Sequence, residues 1–242
     1  MTNIMLLYGN YIFLSFLGLF FFLWYVINTI AKTSKFQIIG EYFTHFQVKE
    51  KAIALTYDDG PNPPYTEELL NVLAEFNAKA TFFVVGENVK QYPETIKLIQ
   101  AQGHEIGNHS YSHSQLVFKT PAFVKSEIEK TDQLLSELGV EKEINFRAPF
   151  GYKLAILPYI LAKMKKKSIL WNVDPRDYAL SDPNKIQNYI LNLIKPGSIV
   201  LLHDGGENCS STIIATKGLL QELQGQGYQF KTVSEMLLLQ NN

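Results

Sequence analysis

From Lys51 onward, short apolar β-rich runs alternate with stretches of helical period, and this alternation limits the chain to a parallel α/β architecture. The strand candidates are Ala52–Tyr57, Ala80–Val85, Glu105–Asn108, Ile144–Arg147, Ser168–Asn172, Ser198–His203 and Tyr228–Lys231. Helical patterns fall between them near Thr66–Phe76, Pro93–Gln102, Pro121–Leu138, Leu154–Lys165, Pro183–Ile194 and Thr212–Gln224. Gly103 and Gly139 stand where helix-ending glycines belong, and Ser211 and Thr212 are suitable N-caps. A strand, a helix and a returning parallel strand require a right-handed crossover. About seven such units predict a short or distorted (β/α) barrel, with an open doubly wound sheet as the alternative that periodicity does not separate.

The N-terminal part has a different character. From Met1 to Ala31 no side chain is charged, and Ile4 to Ala31 is dense in Phe, Leu and Ile, with Tyr8, Tyr11, Trp24 and Tyr25 toward the ends. A bilayer core takes about 20 apolar residues as a helix, and aromatic residues favour its two interfaces. Residues 1–31 are therefore predicted to be an uncleaved single-pass membrane anchor. A cleaved signal peptide would have a basic start and a small-residue cleavage site, and neither is present around Thr29-Ile30-Ala31. Residues 32–50 read as a connector, and residues 51–242 as one catalytic domain. Lys32, Lys35, Lys49 and Lys51 follow the anchor and none precedes it, which by the positive-inside rule places the domain in the cytoplasm.

The net charge of −1 leaves no basic excess for a nucleic-acid backbone, so that class of partner is set aside. Cys209 is the only cysteine, so an intrachain disulfide is impossible.

In parallel α/β folds chemistry gathers at the C-terminal ends of strands, and here polar clusters sit at those ends. Thr56-Tyr57-Asp58-Asp59-Gly60 closes the first strand with two adjacent carboxylates, which a bound cation would reconcile, leaving one free as a base. An ordinary Asp-Asp-Gly turn is the plainer reading of that cluster alone. His109 and His113 are spaced so that one helical face could bring both imidazoles to one metal. Arg147-Ala148-Pro149-Phe150 follows the fourth strand, and a buried Arg there needs a carboxylate partner. Trp171 to Tyr178 adds Asp174, Asp177 and aromatic faces suited to a sugar or equally to a core, and Leu201-Leu202-His203 ends the sixth strand.

Together these five motifs, in this order, resemble the polysaccharide deacetylase (NodB homology) family, whose pattern runs T-F-D-D-G, H-[ST]-x-x-H, R-x-P-[FY], D-x-x-D-W and L-x-H. The resemblance covers roughly Lys51 to Val233. Tyr57 stands in place of the usual Phe and Tyr178 in place of the usual Trp. The family fold, a distorted barrel, decides between the two architectures left open above.

The resemblance implies a hydrolase that removes N-acetyl groups from the amino sugars of a glycan such as peptidoglycan, a chitin oligomer or an exopolysaccharide. It implies a divalent metal, most often zinc, on Asp59, His109 and His113. Asp58 is implied as general base, paired with Arg147, and His203 as general acid, oriented by Asp174. The Phe150 backbone N–H is implied as oxyanion donor, and Trp171, Tyr178 and Leu201 as lining for the acyl methyl. The family's usual substrates also point to the envelope side of the membrane, against the lysine distribution. A deformylase or other C–N amide hydrolase acting on a lipid-linked sugar or a small amide, or a non-catalytic carbohydrate-binding relative, are the alternative classes.

Overall fold

A computed structural model describes residues 14–26, 29, 39–140 and 143–240. Residues 14–26 form helix α1, and Leu14, Phe16, Phe20, Phe22, Trp24 and Tyr25 on it are all exposed. Among the described residues no helix is long and apolar enough to cross a membrane. Apart from Thr29, the rest of the predicted anchor lies outside the described residues, as do residues 32–38 of the predicted connector.

The domain follows in the order β1 (Tyr42–Phe43), β2 (Ala52–Asp58), α2 (Tyr65–Glu75), β3 (Ala80–Val84), α3 (Gly86–Gln91), α4 (Pro93–Ala101) and β4 (Glu105–Asn108). It continues with α5 (Pro121–Glu137), α6 (Ile156–Lys163), β5 (Ser168–Ile169), α7 (Pro183–Leu193), β6 (Ile199–His203), α8 (Ser210–Gly225), β7 (Gln229–Phe230) and α9 (Val233–Gln240). Strands β4, β3, β2 and β6 are neighbours in that order, and every strand pair is parallel. Single bridges Asn108↔Phe146 and Phe146↔Ser168 carry the sheet from β4 to β5, and Val173↔Val200 carries it on to β6. The sheet thereby closes on itself as a distorted barrel. The predicted fourth strand shrinks to the one bridging residue, Phe146. The predicted fifth ends at Ile169, with Val173 resuming the pairing.

The period-two alternation of β2 explains where the chemistry points. Ile53, Leu55 and Tyr57 face outward and join the large core formed with α2, α4 and α8. Ala52 and Ala54 face inward, where they pack with Phe83, Ile169 and Ile199 and with Val233 and Met236 of α9. Thr56 and Asp58 continue that inward row, so the strand delivers a carboxylate into the barrel mouth. All seven residues of β2 are buried, as expected for a strand covered on both faces.

Three segments were not foreseen as structured: α3, α9 and β1. α9 packs against the inward-facing residues of the barrel. β1, in the segment read as connector, pairs with β5 through Tyr42↔Ser168 and Phe43↔Ile169. The glycine stops hold: Gly103 and Gly139 follow α4 and α5 with φ of 76° and 83°. The predicted N-caps do not. Cys209 occupies the cap position of α8, Ser211 Oγ donates to Ser181 O, and Thr212 Oγ1 donates to Asp177.

Candidate active site

At the C-terminal ends of β2, β4 and β6 the five sequence motifs converge on one cleft of ≈ 480 Å³. It is lined by Asp58, Asp59, His109, His113, Phe150, Tyr152, Trp171, Asp174, Tyr178, Leu201 and His203. Every residue expected at the site lines it, except Arg147, which lies beneath it.

Arg147 is fully buried and spends its guanidinium on the barrel interior. Nη1 donates to Asp58 Oδ1 and to Thr56 Oγ1, both at 2.7 Å. Nε and Nη2 donate to the carbonyls of Ile169 and Leu170. Phe83 closes one face, with the guanidinium carbon 4.1 Å from its ring centroid. A buried charge is tolerable only when paired and hydrogen-bonded, and Arg147 has both. Its consequence is geometric: Asp58 Oδ1 is fixed and Oδ2 is turned toward the His109 ring, 3.6 Å from Nε2.

Asp59 takes the next place with φ of 74°, which swings its carboxylate away from the row of β2. The turn is closed from the β6 side, where the backbone N–H groups of Asp204 and Gly205 both donate to Asp58 O. A side chain at position 205 would collide with the Asp59 carbonyl, so the Gly after His203-Asp204 is needed for this approach.

His109 and His113 do not share a helical face, contrary to the expectation from their spacing. Ser110 and His113 have φ of 65° and 52°, and residues 109–113 form an irregular loop after β4. The loop is pinned from behind by α5. Glu127 Oε2 accepts from both Ser112 N and Ser112 Oγ at 2.9 Å. Asn108 Oδ1 accepts from Ser110 N, while its amide donates to Ile128 O and Asp132. Left-handed backbone at non-glycine residues persists only when the surroundings over-determine it, and α5 supplies that.

The outcome is a ligand set. His109 Nε2 and His113 Nε2 lie 3.3 and 3.0 Å from Asp59 Oδ1, and one donor atom from each residue lies within 4.8 Å of the others. His109 Nδ1 contacts the Arg147 carbonyl at 2.9 Å, and a carbonyl only accepts, so the ring proton sits there and Nε2 presents a lone pair. Asp59 Oδ1 is buried with no hydrogen-bond donor among the described residues. Three electron-rich atoms at this spacing repel unless protons or a cation lie among them. Burial works to raise the Asp59 pKa, but the two imidazoles outweigh it and hold the carboxyl well below the usual carboxylate range. Burial likewise opposes the charged form of His109, and Asp58 and Asp59 overcome it, raising its pKa. The donor set of one carboxylate and two imidazoles fits a divalent cation with open positions for water and substrate.

His203 ends β6, in register with Asp58 of β2. Asp174 was expected to orient it and does not: its Oδ1 accepts from Arg176 N, 2.9 Å away, and caps the turn it belongs to. Asp177 takes that role. Its Oδ1 lies 2.8 Å from His203 Nδ1, and its Oδ2 accepts from His203 N and Thr212 Oγ1. The left-handed Arg176, φ 55°, turns the chain between the two acids, so Asp177 is buried under His203 while Asp174 stays on the cleft wall. Burial lowers the His203 pKa, but the Asp177 hydrogen bond and charge prevail and raise it to about 9. Tyr178, in the place of the family's Trp, meets the His203 ring edge-on at 5.2 Å between centroids. Tyr152, Glu127 and Asp177 are the members of the site and its frame that the sequence did not single out for these positions.

Residues 46–169 match the polysaccharide deacetylase family. A peptidoglycan-N-acetylglucosamine deacetylase of Bacillus cereus is 38% identical over 190 residues, covering 78% of this chain and 89% of that protein. A chitooligosaccharide deacetylase of Bradyrhizobium is 35% identical over 198 residues, covering 77% of this chain and 90% of that protein. Among solved structures, a peptidoglycan N-acetylglucosamine deacetylase bound to a hydroxamate-type benzamide superposes with a TM-score of 0.78 at 31% identity, over 81% of this chain and 92% of that one. A barrel whose mouth brings together an Asp-His-His set able to hold a metal and a carboxylate-backed His defines a metal-dependent hydrolase. The chain belongs to the polysaccharide deacetylase family.

Proposed function

We propose that this protein is a zinc-dependent N-deacetylase of a glycan of the peptidoglycan or chitin-oligomer kind, releasing acetate and leaving a free amino sugar. The observation that carries the reading is the placement of two proton-transfer groups beside one ligand set: Asp58, held by Arg147, and His203, held by Asp177 and in register with Asp58 on the neighbouring strand. Asp59, His109 and His113 would hold the cation. When bound, a zinc ion lowers the pKa of water and polarises the acyl carbonyl.

The protein's own groups do the rest. Asp58 accepts the proton of the attacking water through Oδ2, since Oδ1 is occupied by Arg147. His203 keeps Nδ1 on Asp177 and offers Nε2 to the amine that leaves, so the amine departs neutral. A His pKa near 9 keeps that proton in place at neutral pH. The Phe150 backbone N–H stabilises the oxyanion that develops on the former carbonyl. Trp171, Tyr178 and Leu201 wall the space for the acyl methyl, and Phe150, Tyr152 and Tyr178 offer faces to the sugar.

The reading extends to the N-terminus. Residues 1–31 anchor the protein in a membrane as one span, supported by the absence of charge over that stretch and the uncovered apolar side chains of α1. The domain stands on the envelope side, where glycan of this kind is found.

The test is acetate release from a panel of N-acetylated glycans by the metal-loaded protein, with chelated protein as control. Acetate appearing only with metal supports the reading. Formate, or no product from any glycan, contradicts it.

A further inference from the structure

The segment next to the N-terminal helix touches the active site by a route that the proposed chemistry does not use. Lys153 is only 6% exposed, and its Nζ has no hydrogen-bond partner among the described residues. It lies instead over the ring of Tyr42, 3.8 Å from the centroid. Burying an ammonium without hydrogen bonds is among the costliest choices a fold can make. Burial pulls its pKa down to about 8, so at neutral pH it is still mostly charged. The face of an aromatic ring compensates a desolvated cation, and Tyr42 supplies one.

Each partner has a defined place. Tyr42 is in β1, in register with Ser168 of β5, and the carbonyls of Ile169 and Leu170 that follow hold Arg147. Lys153 directly follows Phe150, Gly151 and Tyr152, the segment that walls the cleft beside the metal ligands. That segment carries two consecutive left-handed residues, Phe150 at φ 60° and Gly151 at φ 66°. The Phe150 ring lies 4.8 Å from the His113 ring, and a Cβ on Gly151 would stand 2.7 Å from Trp171. A non-glycine residue in this conformation needs its neighbours to hold it. At its start the segment is held by Arg147 N donating to Asn108 O, and within it Gly151 N donates to Ala148 O and Tyr152 N to Pro149 O; after Tyr152 the buried Lys153 side chain adds a tether to β1.

We propose that the Tyr42–Lys153 contact is a positioning device: it fixes the Phe150–Tyr152 segment over the ligand set and makes β1 part of the active-site frame. Tyr42 and Lys153 are positioning residues; neither touches substrate. The activity arm of the test rests on the deacetylase reading, and a second arm does not.

The experiment compares Tyr42→Phe, Tyr42→Leu and Lys153→Met in the full-length protein. Tyr42→Phe keeps the ring face and retains kcat. Tyr42→Leu and Lys153→Met lower kcat by at least about tenfold, within the roughly hundredfold that a ~1 Å misplacement can cost. Metal affinity stays at the wild-type value in all three. Lys153→Met also removes a buried charge, so its Tm is unchanged or higher while its kcat falls, a split that a merely structural role would not give. The second arm measures chymotryptic cleavage after Phe150, which is 57% exposed: cleavage accelerates in Tyr42→Leu and Lys153→Met and not in Tyr42→Phe. Wild-type kcat and cleavage in Tyr42→Leu would overturn the proposal, as would equal losses in Tyr42→Phe and Tyr42→Leu. Absence of acetate release from the wild type, with the cleavage pattern as expected, would count against the deacetylase reading alone.

Discussion

Asp177 Oδ1 lies 2.8 Å from His203 Nδ1, and the other oxygen of the same carboxylate accepts the His203 backbone N–H, so one buried acid fixes both the ring and the backbone of the proton donor. A general acid works only while protonated, so turnover is present below the His203 pKa and falls as pH rises through about 9. In Asp177→Asn the largest influence that raises the pKa is gone, while burial still lowers it and the charges of Asp58 and Asp59 still raise it. The alkaline limb of the pH–rate profile then moves to lower pH, from about 9 toward the ordinary 6.5. Asp174→Asn should leave the limb near 9, since Asp174 caps Arg176 N instead. An unmoved limb in Asp177→Asn would remove His203 from the role of acid.

Much of this was legible in the sequence, and the gaps have physical causes. β2, β3 and β6 are largely apolar runs buried on both faces, so their strands and the motifs at their ends could be read directly. Asp174 and Asp177 could not be ranked, because the choice depends on the left-handed turn at Arg176, and Arg has no intrinsic preference for that region. The same holds for His109 and His113: their spacing suits a helix, and only Ser110 and His113 at positive φ, held by α5, reveal a loop. β1 was taken as connector because two residues among polar neighbours carry no periodicity. Glu127 looks like any polar residue of a helix until α5 is packed behind the loop.

Glu127 gives a second expectation. Its two hydrogen bonds to Ser112 tie α5 directly to the His113 loop, beside the link through Asn108, so Glu127→Ala should weaken metal binding without removing a ligand. Residues that orient metal ligands typically contribute about 10–100-fold in affinity. Competition with a chelating dye should show a loss of that order in Glu127→Ala, a smaller one in Glu127→Gln, and near-complete loss of binding in His113→Ala. Unchanged affinity in Glu127→Ala would mean that the loop holds its shape alone.

The membrane reading is tested by fractionation. The full-length chain should sediment with membranes, and a fragment beginning at Lys35 should be soluble and active because it retains β1. A fragment beginning at Gln47 lacks Tyr42 and Phe46 and should unfold at lower temperature. Protease added to intact cells should degrade the domain. Degradation only after the inner membrane is opened would place the domain in the cytoplasm, as the lysines after the anchor suggest.

The division of labour between the two adjacent acids is the centre of the account: Asp59 binds the cation and Asp58 takes the proton. Asp58→Asn separates them in one sample, measured for bound metal and for acetate release together. The carboxamide keeps the hydrogen bond from Arg147 to Oδ1 but cannot accept the water's proton. The expected result is full metal occupancy with turnover lowered by about 10²–10⁴-fold. Near-normal acetate release, or loss of the metal along with the activity, would contradict it.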